Sequence, residues 1–210
     1  MIFINNIWRL KKKYLDILLS KKINISEKIN FGSIKANNFF KKKIKNSNFF
    51  FEYGSGSSTI YVDKKNKKYI SIETDKSFYK SLLFKLKSKS SLKYFGLGIV
   101  GEFSYPVLCT KQQVKNYIFS INKYFIKKTF PDLILIDGRF RIACCLNLLN
   151  KSRFKNIFTI ILDDYKKRKE YHCLNKFFEI KKVGRLGILK PKKRLYFKKN
   201  IIEDFYFNFK

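Results

Sequence analysis

The segment Glu52-Tyr53-Gly54-Ser55-Gly56-Ser57-Ser58-Thr59 combines a carboxylate, two closely spaced glycines and a run of hydroxyls. Paired glycines allow a tight turn and let a ligand approach the backbone with no Cβ in the way. Ser58 and Thr59 fall at the start of a helix, whose free N–H groups suit an anionic or polar ligand group. Glu52 ends the preceding strand, where a carboxylate can accept from a cationic amino group or a ribose hydroxyl. The spacing argues against two common phosphate sites. A dinucleotide turn reads G-x-G-x-x-G/A, and the last position here is Thr59. A P-loop needs a Lys before its Ser or Thr, and this turn has none. Glu73 follows Gly54 by 19 residues and ends the next strand candidate. Its two oxygens suit the hydroxyls of a ribose cis-diol. Asp75 fits the N-cap of the helix beyond, which leaves Glu73 for a ligand.

A second group is Asp137-Gly138-Arg139-Phe140-Arg141. An acid at a strand end followed by Gly and Arg sets opposite charges at one mouth. Arg139 can pair with Asp137, or grip a carboxylate or phosphate on a substrate. The structural alternative is an Asp–Arg network that holds loops together. Asp164 and Tyr165, with Arg168 and Tyr171, add polar groups at the neighbouring strand end. His172 is the single histidine and reads as a packing or surface residue within a helix. Cys109, Cys144, Cys145 and Cys173 form no CxxC pair, so no metal site is expected. Cys144 and Cys145 lie in an apolar run and read as small core residues.

These residues must be held by an alternation of strands and helices. Strands are expected at residues 48–53, 68–73, 93–99, 132–137 and 156–162. Helices are expected from 57 onward and at 76–87, 112–127, 139–149 and 168–178. Residues 178–183 and 186–190 suit a hairpin about Gly184-Arg185. The apolar run at 132–137 has the character of a buried parallel strand. This pattern implies an α/β fold: a mostly parallel sheet flanked by helices, with a C-terminal antiparallel hairpin. Ligands in such sheets bind outside the carboxyl ends of the strands, where Glu52, Glu73, Asp137 and Asp163-Asp164 fall. A helix at 5–20 and a weakly patterned, lysine-rich stretch with a short helix at 35–43 come first. The expected organisation is an N-terminal helical extension (1–48), one α/β domain (49–190) and a basic, aromatic tail (191–210).

Composition bounds the partners. A chain of 210 residues, 45% hydrophobic, supports one domain with a sizeable core. The net charge of +32 invites a nucleic-acid reading. Yet seven of the 47 basic residues are Arg, which leaves 40 Lys. With abundant Asn, Ile, Phe and Tyr, that bias matches an A/T-rich genome, and nucleic-acid surfaces lean on Arg as well. A reducing cytoplasm fits the cysteine usage. No apolar run reaches the roughly 18 residues of a membrane span. The basic cluster Lys11-Lys12-Lys13 follows a short apolar stretch, the reverse of a signal peptide.

Taken in order, these motifs resemble the class I S-adenosylmethionine-dependent methyltransferases, and more narrowly a methyltransferase-like bacterial group. The resemblance runs from about Phe49 to Leu189 and includes Gly101-Glu102-Phe103-Ser104-Tyr105-Pro106 and Val183-Gly184-Arg185-Leu186. It implies a Rossmann-like fold and S-adenosyl-L-methionine as cofactor. Glu52, Tyr53, Gly54, Ser55, Gly56, Ser58 and Thr59 would then line the methionine part, and Glu73 the ribose. Asp137 would face the reaction centre, beside the other candidate catalytic residues Arg139, Asp164 and Tyr165. Many members carry an Asp or Asn near the third strand end that touches adenine. Leu97-Gly98-Ile99-Val100 has none, and Glu102 is the substitute at hand. The implied activity is methyl transfer to a small-molecule acceptor. An RNA acceptor and a non-catalytic binding module are the two alternatives.

Overall fold

In the computed structural model the described residues are 2–3, 14, 23–125, 130–149, 158–192 and 202–205. The first described helix, α1 (Ile34–Asn46), is opened by Ser33, whose hydroxyl accepts the Ala36 N–H at 3.2 Å. Ala36, Phe40 and Ile44 repeat every four residues and form its buried stripe. The helix is longer at both ends than the expected 35–43, because Ser33 caps one end and packing carries the other. The expected helix at 5–20 lies outside the described residues except for Tyr14, as does most of the tail beyond 192.

The main sheet has seven strands. They are β2 (Phe49–Tyr53), β3 (Lys68–Glu73), β4 (Leu92–Tyr94), β7 (Leu133–Ile136), β8 (Thr159–Leu162), β9 (Phe178–Val183) and β10 (Leu186–Pro191). Their order is β4-β3-β2-β7-β8-β10-β9. The first five run parallel, and β10 pairs antiparallel with both β8 and β9. The fold is thus a Rossmann-like α/β sheet that ends in the expected hairpin.

Alternation along β7 shows the two layers. Leu133 and Leu135 join a buried cluster with Phe40 and Ile44 of α1, while Ile134 and Ile136 join the cluster on the other face. That second face is covered by α4 (Lys111–Ile118) and α5 (Arg141–Leu149). Cys144 and Cys145 are buried there as free thiols. Two more helices, α2 (Ser57–Lys64) and α3 (Lys76–Leu83), follow β2 and β3. At the opposite end of the sheet Asp132 accepts from the Ser47 hydroxyl at 2.5 Å and the Asn48 N–H at 2.8 Å, which fixes where β2 begins.

Several expected elements are altered. The strand at 93–99 splits, because Gly98 takes a φ of +71° and a Cβ there would strike the Leu108 carbonyl oxygen. Beyond the break, β5 (Ile99–Val100) leaves the main sheet and pairs with β6 (Pro106–Cys109). The strand β1 (Ile2–Phe3) pairs with the other edge of β6, giving a small second sheet that sequence reading did not anticipate. The helix expected at 76–87 stops at Leu83. That expected at 112–127 gives way after Ile118 to 3₁₀ turns over Phe119–Phe125. The helix expected at 168–178 is a 3₁₀ run, Lys169–Lys176.

Strand order reverses between β2 and β7: the chain leaves β2 toward β3 on one side and leaves β7 toward β8 on the other. Such a switch point opens a crevice at the carboxyl ends of the two strands. Tyr53 and Ile136 end those strands, and the Asp137 N–H donates to the Tyr53 carbonyl at 2.9 Å across the gap.

Candidate functional site

The two glycines of the turn do different work. Gly54 has a φ of +89°, and a Cβ on it would lie 2.6 Å from the Gly138 Cα. It lets the loops after β2 and β7 touch at the switch point. Gly138 answers from the other loop, where a Cβ would run into the Tyr117 hydroxyl. Gly56 is the reverse case, since a Cβ there meets nothing within 4 Å. It stands at the N-cap of α2 and brings no side chain to the helix's first-turn N–H groups. Open room beside exposed helix N–H groups is what a polar ligand needs.

Glu52 lies beneath this turn and is fully buried. It accepts from the Ser58 hydroxyl, from Thr59 Oγ1 at 2.5 Å and from Ser71 Oγ at 2.8 Å. Thr59 Oγ1 in turn accepts the Gly56 N–H at 2.9 Å, and Ser55 Oγ lies 2.8 Å from Ser71 Oγ. Burial pushes the Glu52 carboxyl up to about 7, against the pull of the three hydroxyls. Tyr53 turns the other way. Its ring packs against Tyr117 and its hydroxyl donates to the Ile118 carbonyl at 2.6 Å, so only its backbone reaches the turn.

Glu73 ends β3 beside the crevice and is 3% exposed. One oxygen accepts the N–H groups of Thr74 at 2.7 Å and Asp75 at 2.8 Å, and the Ser104 hydroxyl at 3.1 Å. No partner stands against the other oxygen among the described residues. Burial raises this carboxyl to about 7 as well. Asp75 caps α3 by accepting from Ser77 N–H at 2.9 Å and Phe78 N–H at 3.2 Å, as its cap role predicts. The Ser104 contact brings the loop between β5 and β6 over Glu73. That loop holds Phe103 at a φ of +53° with 80% of its surface exposed. An exposed aromatic ring on a strained backbone is a flag that sequence reading did not raise.

The third part of the site is a carboxylate–guanidinium group at the ends of β7 and β8. Arg141, not Arg139, pairs with Asp137: its Nη2 lies 2.9 Å from Asp137 Oδ1. The same side chain donates to the carbonyls of Asp137 at 3.0 Å, Gly138 at 2.9 Å and Asp163 at 2.9 Å. The reason is local. Phe140 turns the chain at a φ of +53°, and Arg141 then opens α5 on the inner side, four residues after Asp137. The i,i+4 spacing was the signal that could have found it. Burial raises the Asp137 carboxyl to about 7, Arg141 draws it down, and Asp163 and Asp164 push it up again. Asp163 is buried and held by Arg185 through both oxygens, at 2.6 and 2.5 Å. Asp164 is shared by Arg141, Arg168 and Arg185 at 3.5–3.6 Å.

Arg139 and Tyr165 depart from the expected grouping in opposite ways. Arg139 stacks its guanidinium over Tyr105 at 5.7 Å, and its Nε is buried without a hydrogen-bond partner. Tyr165 is carried into the core, because the φ of +60° at Asp164 turns its ring onto Gly187 of β10. Its hydroxyl donates to Asn175 at 2.9 Å, so it does not join the mouth of the crevice.

No family model matches the sequence, and no curated protein does. Solved structures match by shape. A methyltransferase-like protein from Silicibacter pomeroyi superposes with a TM-score of 0.67 at 21% identity, over 85% of this chain and 96% of that one. An O-methyltransferase from Bacillus cereus, solved in complex with SAH, has a TM-score of 0.48 at 12% identity, over 87% of this chain and 91% of that one. At such identities the likeness is one of fold, and the first structure carries it. The chain is therefore a Rossmann-like α/β protein with the class I methyltransferase-like fold.

Proposed function

We propose that this chain binds S-adenosylmethionine at the switch point and transfers its methyl group to an acceptor held at the ends of β7 and β8. The observation that carries the reading is the open space at Gly56, at the N-terminus of α2, with Glu73 ending the neighbouring strand β3. The residues fit such a cofactor. Gly54, Ser55 and Gly56 would hold the methionine part through their backbone. Glu73 would take the ribose hydroxyls with the oxygen that its own loop leaves unused. Phe103 supplies an exposed ring beside Ser104 for a flat base. Glu52, Ser58 and Thr59 act one step back, holding the turn in shape from below. The bound cofactor supplies a methyl group on a positively charged sulfur.

This chain's part in the transfer is positioning and proton removal. Rates of in-line displacement gain most from holding the two reactants in register. Asp137, whose carboxyl is held above the ordinary carboxylate range by desolvation and by the neighbouring Asp163 and Asp164, has a side chain one-third exposed and is suited to take a proton from the acceptor. Arg141 fixes its orientation from the buried side. Asp164 lies next along the mouth, held by Arg141, Arg168 and Arg185. The test is transfer of label from methyl-labelled cofactor to a cell extract. The wild-type chain is expected to label a fraction of the extract, and Asp137→Asn to label at least about tenfold less. Label transfer by neither, with the cofactor shown to bind, would leave a binding module.

A further inference from the structure

Three of the chain's seven arginines (Arg141, Arg168 and Arg185) pair with three carboxylates at the ends of β7 and β8, and a fourth, Arg139, lies near enough to Arg141, Arg168 and Tyr171 to interact with them electrostatically. Arg141 holds Asp137, Arg185 holds Asp163, and Asp164 is shared among Arg141, Arg168 and Arg185. Arg139 is the cation left over. Among the described residues no carboxylate pairs with it, and its Nε is buried without a hydrogen bond. A second unsatisfied group lies in the same cluster. Tyr171 is fully buried, and its hydroxyl has no hydrogen-bond partner among the described residues. Arg141 and Arg168 lie over its ring at 5.9 and 5.6 Å. Unpaired buried donors beside surplus positive charge are costly in isolation, and an oxyanion satisfies them together. In a chain that meets nearly every other need for positive charge with Lys, the planar donors gathered here suit bidentate recognition.

We infer that the acceptor carries a carboxylate or phosphoryl group, bound by Arg139 and Arg168 with the Tyr171 hydroxyl donating to it. Asp137 and Asp164 stand on the same mouth, so an acceptor anchored here presents its nucleophile beside the proposed base. This assignment rests on the methyltransferase reading for the word acceptor, but its site can be tested without the cofactor. Lysines on the surface attract any anion, so the ionic strength must be held fixed and high enough to screen them.

The experiment is calorimetric titration of the full chain with inorganic phosphate and, separately, with acetate. One saturable site for at least one of them is expected. The tighter anion identifies the group. Arg139→Gln is expected to weaken that site about tenfold or more. Tyr171→Phe, which keeps the ring between the two guanidiniums, should weaken it several-fold, and Lys41→Gln on α1 should leave it unchanged. Equal affinity in wild type, Arg139→Gln and Tyr171→Phe overturns the assignment, as does the lack of any saturable site. So does an RNA oligonucleotide being the only ligand whose binding depends on Arg139. SAH binding on the same samples separates the two readings. SAH binding without an anion site removes only this inference, and an anion site without SAH binding removes the methyltransferase reading beneath it.

Discussion

Glu52, next to the end of β2, and Glu73, at the end of the adjacent β3, are both buried and both raised to about 7, yet their neighbours give them different work. Glu52 is saturated by three hydroxyls of its own chain, whereas Glu73 leaves one oxygen without a described partner. Between an ordinary carboxylate value of 4.5 and about 7, the folded chain holds more protons at these sites than the unfolded chain. Stability attributable to them therefore falls as pH rises through that window. Cofactor binding runs the other way. Ribose hydroxyls donate to the ionised form of Glu73, so binding below about pH 7 must expel its proton. Affinity for SAH is expected to rise as pH increases through about 7, with proton release measurable by calorimetry in buffers of different ionisation enthalpy. A flat profile with no proton release would separate Glu73 from the ligand. Residue type and spacing made the strand end at Glu73 and the Asp75 cap legible in sequence. The Asp137 partner was misjudged because the nearer Arg139 drew the pairing, and the turn at Phe140 that brings Arg141 inward has no composition signature.

At the scale of elements, the turn between β2 and α2 and the loop after β7 are built against each other. Gly54→Ala forces a side chain into a positive φ and against the Gly138 backbone, and should cost about 1–3 kcal/mol of stability or more. Gly56→Ala meets open space, so stability should change by no more than about 0.5 kcal/mol. Its methyl group would occupy the room assigned to the ligand, and SAH affinity should drop at least about tenfold. Denaturant unfolding and calorimetry on the pair check both halves. A Gly56→Ala chain with unchanged affinity would place the ligand elsewhere. The parallel strands were readable because each is a short apolar run between turn signals, as in Leu133–Ile136. The small sheet was not readable, since two-residue strands such as Ile2–Phe3 and Ile99–Val100 leave no periodic trace. The 3₁₀ runs over Phe119–Phe125 and Lys169–Lys176 carry a near-helical pattern, which explains why they read as helix.

For the molecule as a whole, strand order does what no single motif does. It brings Gly54, Asp137 and Asp163, scattered over more than a hundred residues, to one edge of the sheet. The net charge of +32 is uneven in kind: Lys predominates across the chain, while arginines gather at the proposed acceptor site. The central claim, a cofactor site at the switch point, is tested most directly by titrating the chain and its Glu73→Ala and Glu73→Gln variants with SAH in a calorimeter. One site per chain is expected in the wild type, weakened about 10- to 100-fold in Glu73→Ala by the loss of charged hydrogen bonds to the ribose, and weakened less in Glu73→Gln. No heat of binding in the folded wild-type chain, or equal affinity in all three, would contradict the account.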